Sequence, residues 1–268
     1  MSSVFRAVGA IIAVIVGVSA LSACGPGVNA ASVATAEFEE FMSAQPNVDY
    51  AEARGSNTLP YSGTADGVVG LRDAITPEEF ETIVDTVGEY SVKQQGGNVA
   101  WASMAVRIGG FSLNVDGSKA TNDALRALFD AVRVVPLYTS GEVGVERVEL
   151  ELSGEASADA LVGGLDAVNA TLLAHPVSAG DSSVYFLGDD GRTAFRIEQT
   201  GRANRPDAAI SALTVLWATT ALTFVEASNE EFTAHLADDA AVAAATGLVT
   251  ELLANSSVVR ITVIGPAG

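Results

Sequence analysis

The sequence predicts an α+β fold: two tandem ferredoxin-like (βαββαβ) modules, with antiparallel sheets and helices on one face, followed by an incomplete third unit. Three observations predict it. The apolar residues switch repeatedly between a period of two and a period near 3.6. The order strand, helix, strand, strand, helix, strand is read twice along the chain. Of the 268 residues 49% are hydrophobic and 18% charged, which supplies a sizeable core and excludes a disordered or collagen-like chain. The first module, with an extra helix and strand at its start, is expected over 33–142. The second, with a C-terminal strand–helix–strand extension, is expected over 143–268.

The first helical signal falls at about 33–44, where Phe38, Phe41 and Met42 share a face opposite Glu37, Glu39 and Glu40, and Pro46 closes it. A short strand near Val48–Arg54 and a polar Gly/Ser/Asn loop follow. Val68–Leu71 reads as a strand. Thr76-Pro77-Glu78-Glu79 is a capping box with proline at the first helical position, and Phe80, Ile83, Val84 and Val87 continue it at helical spacing. Strands at Trp101–Ile108 and Phe111–Val115 are joined by Gly109-Gly110, a two-residue hairpin signal. A helix then aligns Leu125, Leu128, Phe129 and Val132, and the apolar run Val134–Tyr138 closes the first module.

The second round begins with Val148–Leu152, which alternates strictly, and a helix carrying Leu161, Leu165, Val168 and Leu172 to His175-Pro176. Strands at Val184–Leu187 and Thr193–Glu198 flank the loop Gly188-Asp189-Asp190-Gly191. Pro206-Asp207 opens a helix with Ile210, Leu213 and Trp217, and Leu222–Val225 is a strand. The tail adds Phe232–Leu236, a helix with Val242, Ala245, Val249 and Leu252, and a strand at Val258–Ile264. The leading helix and strand could complete the sheet of this tail. Ala208–Val225 is free of charge over 18 residues, but its hydroxyl-bearing and β-branched residues read as a buried helix running into a buried strand, not as a membrane span.

The N-terminus has a different character. Arg6 supplies a short positive start, and Val8–Leu21 runs apolar or small without charge, as in a secretory segment of residues 1–23. It ends in Leu21-Ser22-Ala23-Cys24, which resembles the lipobox of bacterial lipoproteins: an aliphatic residue, two small residues, then the cysteine that takes a diacylglyceryl group. The resemblance implies cleavage before Cys24, acylation there, and a palmitate-type anchor on the extracytoplasmic face of the cell membrane. It covers the export segment alone. Residues 24–32 read as a small-residue tether. The usage of 12 Arg against 2 Lys, in a background rich in Ala, Val, Gly and Asp, resembles that of a high-GC actinobacterium.

Charge and residue counts bound the chemistry. Loss of residues 1–23 removes Arg6 and no acid, so the formal charge moves from −19 to −20. That excludes a nucleic-acid partner held by a basic surface, and it repels anionic lipid heads, so the lipid on Cys24 must make the membrane attachment. One cysteine excludes a disulfide framework and two histidines a three-histidine zinc site. No P-loop, zinc-protease, nucleophile-elbow or EF-hand signature occurs, and no cofactor or metal is expected.

The candidate binding residues are accordingly few. His235, with Asp238 and Asp239 at i+3 and i+4, could have its imidazole oriented for acid/base or metal work, the alternative being an exposed strand end with Asp238 capping the next helix. Asp189 and Asp190 could meet a hard cation, although hairpin tips favour these residues anyway. His175 reads as a helix C-terminal histidine and Asp116-Gly117-Ser118 as a turn plus cap. Trp101 and Trp217 read as core. Tyr50, Tyr61 and Tyr90 could line a recognition surface, but nothing converges around them.

The resulting expectation is a membrane-anchored extracytoplasmic lipoprotein acting as a non-catalytic binding or interaction module of the cell envelope, for an envelope protein or a small ligand. The alternatives are an envelope hydrolase or lipid- or glycan-modifying enzyme working through scattered carboxylates and His235, and a purely structural envelope lipoprotein.

Overall fold

The computed structural model of the chain describes residues 30–59, 62–94, 97–177, 181–187, 194–201 and 204–266. The loop of Asp189 and Asp190, the Cys24 segment and Tyr61 lie outside these residues. The described elements are α1 (Ala30–Ser43), β1 (Val48–Leu59), β2 (Ser62–Leu71), α2 (Pro77–Gln94), β3 (Val99–Ile108), β4 (Phe111–Asn114), α3 (Lys119–Arg133), β5 (Tyr138–Val143), β6 (Arg147–Leu152), α4 (Ala158–Ala174), β7 (Asp181–Leu187), β8 (Ala194–Gln199), α5 (Asp207–Thr219), β9 (Leu222–Ala227), β10 (Glu231–Leu236), α6 (Val242–Leu253) and β11 (Arg260–Ile264).

All eleven strands form one mixed sheet in which spatial order equals chain order, from β1 at one edge to β11 at the other. Hairpins pair β1–β2, β3–β4, β5–β6, β7–β8 and β9–β10 antiparallel, and each of α2–α6 crosses over to the next strand in parallel. The chain is thus a run of helix–strand–strand units laid side by side. This corrects the expectation of two ferredoxin-like modules plus an incomplete third. In a split βαβ module the crossover skips a place that a later strand fills, and the chain then doubles back. Here every crossover lands on the adjacent place and the chain never turns back, so the sheet does not break into four-stranded groups. Nor do α1 and β1 complete the tail, since β1 and β11 are opposite edges.

The helices cover one face only. Val69, Val106, Leu113, Val143 and Val148 are consecutive cross-strand partners, all buried, and they join α2–α6 in one core cluster with Phe80, Leu128, Leu165, Leu213 and Val249. Successive parallel pairs point in opposite directions while the chain keeps stepping the same way, so with all helices on one side successive crossovers alternate in hand. The usual right-handed preference would favour a chain that doubles back. The shared apolar face overrides that preference here.

Local chemistry sets the ends of the elements. Thr76 and Glu79 form the capping box, with the Glu79 backbone N–H donating to Thr76 Oγ1 at 3.2 Å and the Thr76 N–H donating to Glu79 Oε2 at 2.7 Å. The Thr76 N–H foremost, and then the Asn47 side chain, holds the Glu79 carboxyl below its usual range. Ser118 and Ser157 cap α3 and α4. Gly109 takes φ +58° in the β3–β4 turn, which an L-residue resists. The polar stretch after Arg54 is strand, not loop, because β1 pairs with β2 out to Leu59. The run Val134–Leu137 is mostly outside the sheet, Val134 being 78% exposed, and β5 starts at Tyr138. Ala208–Val225 divides into α5 and β9, and among the described residues no helix is long and apolar enough to cross a membrane.

Tyr138 ties sheet to helix: its buried hydroxyl donates to the Gly164 carbonyl of α4 at 3.0 Å. Burial pushes the Tyr138 phenol far above its usual value of 10.0. It also raises Tyr90, with help from Glu37, and Tyr185, with help from Glu151 and Glu149. A raised folded pKa means the neutral phenol is favoured, so this stability is present in full below the unfolded value and is lost as pH climbs through the folded ones. Urea titrations should show stability falling above about pH 10. Tyr138→Phe should flatten that fall while costing about 1 kcal/mol at neutral pH for the lost hydrogen bond.

Candidate functional groove on the open sheet face

Because strand side chains alternate, residues one step from the core positions all point to the uncovered face. Register aligns them into rows running across the strands. One row is Tyr50, Gly70, Arg107, Ser112, Glu142, Glu149, Ser183 and Glu198, each the cross-strand partner of the next, over β1–β8. A second is Ser140, Glu151, Tyr185, Arg196, Glu226, Thr233 and Thr262, over β5–β11. Two cavities sit on this face. One, of about 420 Å³, is lined by Arg107, Ser112, Ser140, Glu142, Glu149 and Tyr185 with the Gly109–Gly110 turn. The other, of about 590 Å³, shares Glu142 and reaches Ser103, Asn114, Arg147, Asp181 and Glu198.

Part of the charge on these rows is internally balanced. Arg196 lies between Glu149 at 3.2 Å and Glu198 at 3.4 Å and donates to Ser183 Oγ at 3.1 Å, while its Nε is buried with no partner. Arg147 adds a contact to Glu149 at 3.3 Å. Ser140 Oγ donates to Glu151 at 2.5 Å beside Tyr185. Three groups of the smaller cavity are not balanced. Arg107 is exposed and has no carboxylate in ion-pair range among the described residues. Ser112 is 7% exposed, and its hydroxyl has no hydrogen-bond partner among the described residues. Glu142 receives one bond, from Asn114 Nδ2 at 2.7 Å, and meets no cation.

The residues singled out from sequence lie elsewhere. His235 is on the open face of β10, half-buried, its ring 4.7 Å from that of Phe224. Asp238 caps the 3-10 turn Asp239–Ala241 by accepting the Ala240 N–H at 2.9 Å. His175 is the C-cap of α4 and Ser118 the N-cap of α3. Tyr90 is not a surface residue: it is buried and packs with Phe38, Phe41 and Trp101. Tyr50 does face the open side, lying so close over Gly70 that a Cβ there would fall 1.9 Å from its ring. Trp217 packs on Phe195. Among the described residues no group of three or more His, Cys, Asp or Glu is placed to hold a metal ion.

Sequence reasoning missed Arg107, Ser112, Glu142, Glu149, Tyr185 and Arg196. The polar half of the Val148–Leu152 alternation was the one available signal, since it announces a face turned away from the core; cross-strand register is not written in any single strand. The fold and groove together define a one-sided sheet protein with a polar groove across its bare face. No protein-family pattern matches the chain, and no curated protein matches it.

The balance of charge separates structural from free groups. Arg196→Ala strips the partner from Glu149 and Glu198 and should cost about 1–2 kcal/mol, given its partial exposure. Arg107→Ala, which breaks no contact, should change stability by less than about 0.5 kcal/mol. Urea midpoints of the two variants against the parent chain check the contrast.

Proposed function

We propose that this protein is a lipid-anchored, extracytoplasmic binding module of the cell envelope, non-catalytic, with the groove on the bare sheet face as its binding site. The observation that carries the reading is the groove's combination of an unpaired guanidinium, a hydroxyl with no protein partner among the described residues and a carboxylate that meets no cation, all on one sheet. Unsatisfied polar groups set in a cavity are what a ligand completes, and a sheet holds them in fixed geometry. The histidines are remote from them, so the groove offers hydrogen bonds and charge but no imidazole base beside a hydroxyl nucleophile.

The anchor follows from Leu21-Ser22-Ala23-Cys24. Acyl chains contribute about 0.8 kcal/mol per buried CH₂, enough for durable attachment when two or three are present. The acidic protein surface then stands off from anionic lipid heads and leaves the groove accessible.

Cys24→Ser should abolish incorporation of a labelled fatty acid and move the protein from the membrane fraction to the soluble one. Unchanged fractionation and labelling would refute the anchor. For the groove, the immobilised protein incubated with envelope extract should retain a component that the Arg107→Ala/Ser112→Ala double variant releases and that a Val259→Asp control, on the exposed segment before β11, keeps. Equal retention by all three would place binding elsewhere.

A further inference from the structure

We infer that the groove takes a small zwitterion, a ligand carrying a carboxylate and an ammonium group a few ångströms apart, such as a free amino acid or a dipeptide. The inference rests on the reading of the groove as a binding site and adds the chemical class of what it binds.

Three features specify the class. Arg107 is a cation without an internal partner, in a chain whose formal charge is −19, and its planar fork suits a carboxylate held by two parallel hydrogen bonds. Ser112, its direct cross-strand partner, is 7% exposed, faces the same cavity and has a hydroxyl left without a partner, so a ligand oxygen bound at Arg107 can accept from it. Glu142, the next partner in the row, is a carboxylate bonded to an amide and to no cation, and it is placed to receive an ammonium.

Spacing agrees with charge. Arg107 and Glu142 stand two strands apart with Ser112 between them, which at about 4.8 Å per strand is roughly 10 Å. Both side chains line the same cavity of about 420 Å³, which leaves room for a small ligand between them. A simple anion satisfies Arg107 but leaves Glu142 unmatched, and it is repelled by the strongly acidic protein. A simple cation has the opposite fault. A neutral sugar could bond to every group yet would leave both charges buried beneath it uncompensated.

The test is equilibrium dialysis of the acylated protein in detergent micelles against radiolabelled L-alanine and L-alanyl-L-alanine. N-acetyl-L-alanine, which lacks the ammonium, L-alaninamide, which lacks the carboxylate, and N-acetylglucosamine serve as comparators. The expected result is saturable binding of L-alanine or the dipeptide and at least about tenfold weaker binding of all three comparators. Arg107→Ala and Glu142→Gln, both at exposed positions that leave the core intact, should each weaken binding about tenfold or more, with urea midpoints unchanged. N-acetyl-L-alanine binding as tightly as L-alanine would overturn the zwitterion in favour of an anion site. Binding of N-acetylglucosamine alone would overturn it in favour of a sugar. If no probe binds while the envelope component is still retained through Arg107 and Ser112, the zwitterion assignment fails and the groove stands as a site for another class. If both fail, the groove reading falls as well.

Discussion

Every described helix lies against the same side of a sheet that does not close, and the bare side has to be satisfied by water, by its own side chains or by a ligand. In an antiparallel hairpin protein that division is ordinary, since one solvated face is tolerated. Here it extends over eleven strands, and half of the strand junctions are parallel crossovers, which normally bring helices to both faces. The apolar positions leave no such choice. The fully buried apolar positions of the core fall on one side of each strand from β2 to β10, while apolar residues on the other side, such as Val68, Leu187 and Phe224, stay partly exposed, so each helix buries its stripe only there. The alternating hand of the crossovers and the polar rows opposite both follow from that one-sided burial.

On the bare face a row of carboxylates would repel one another if nothing intervened. Arg147 and Arg196 intervene, each in contact with Glu149 and the latter bridging to Glu198. These contacts are partly exposed, so each contributes little to stability. Their effect is to fix the geometry of one wall of the groove. The opposite wall, with Arg107 and Ser112, is left unpaired, and the contrast between a partly neutralised wall and an open one distinguishes the groove from a generic acidic surface.

The buried faces of α2, α3 and α4 were legible in the sequence, while Phe41 of α1 and Leu252 of α6, expected on the apolar faces, are exposed. Phe80, Ile83, Val84 and Val87 were expected on one face of α2 and are buried, as are Leu125, Leu128, Phe129 and Val132 of α3 and Leu161, Leu165, Val168 and Leu172 of α4. The order of strands and helices was legible too. Which strands become neighbours was not, because adjacency depends on where each crossover lands, and the local pattern is the same whether the chain skips a place or steps to the next. The groove was hidden for the same reason. Arg107 and Glu142 are 35 positions apart in the chain and share a site only through the register of β3, β4 and β5. His235 and Asp238 drew notice because they are close in sequence, and proximity in sequence proved a poor guide: one stacks beside Phe224 and the other caps a turn.

The continuity of the sheet can be tested with the two tryptophans, which stand toward its opposite ends: Trp101 on β3, packed against Phe38 and Tyr90, and Trp217 on α5, packed against Phe195. Trp101→Phe and Trp217→Phe variants each leave a single reporter for one end. With one sheet and one shared core, urea unfolding followed by either fluorescence, once corrected for each variant's own far-UV circular dichroism midpoint, gives coincident transitions. A fluorescence transition displaced from the same variant's far-UV circular dichroism transition, to lower urea for one reporter and to higher urea for the other, would contradict the account.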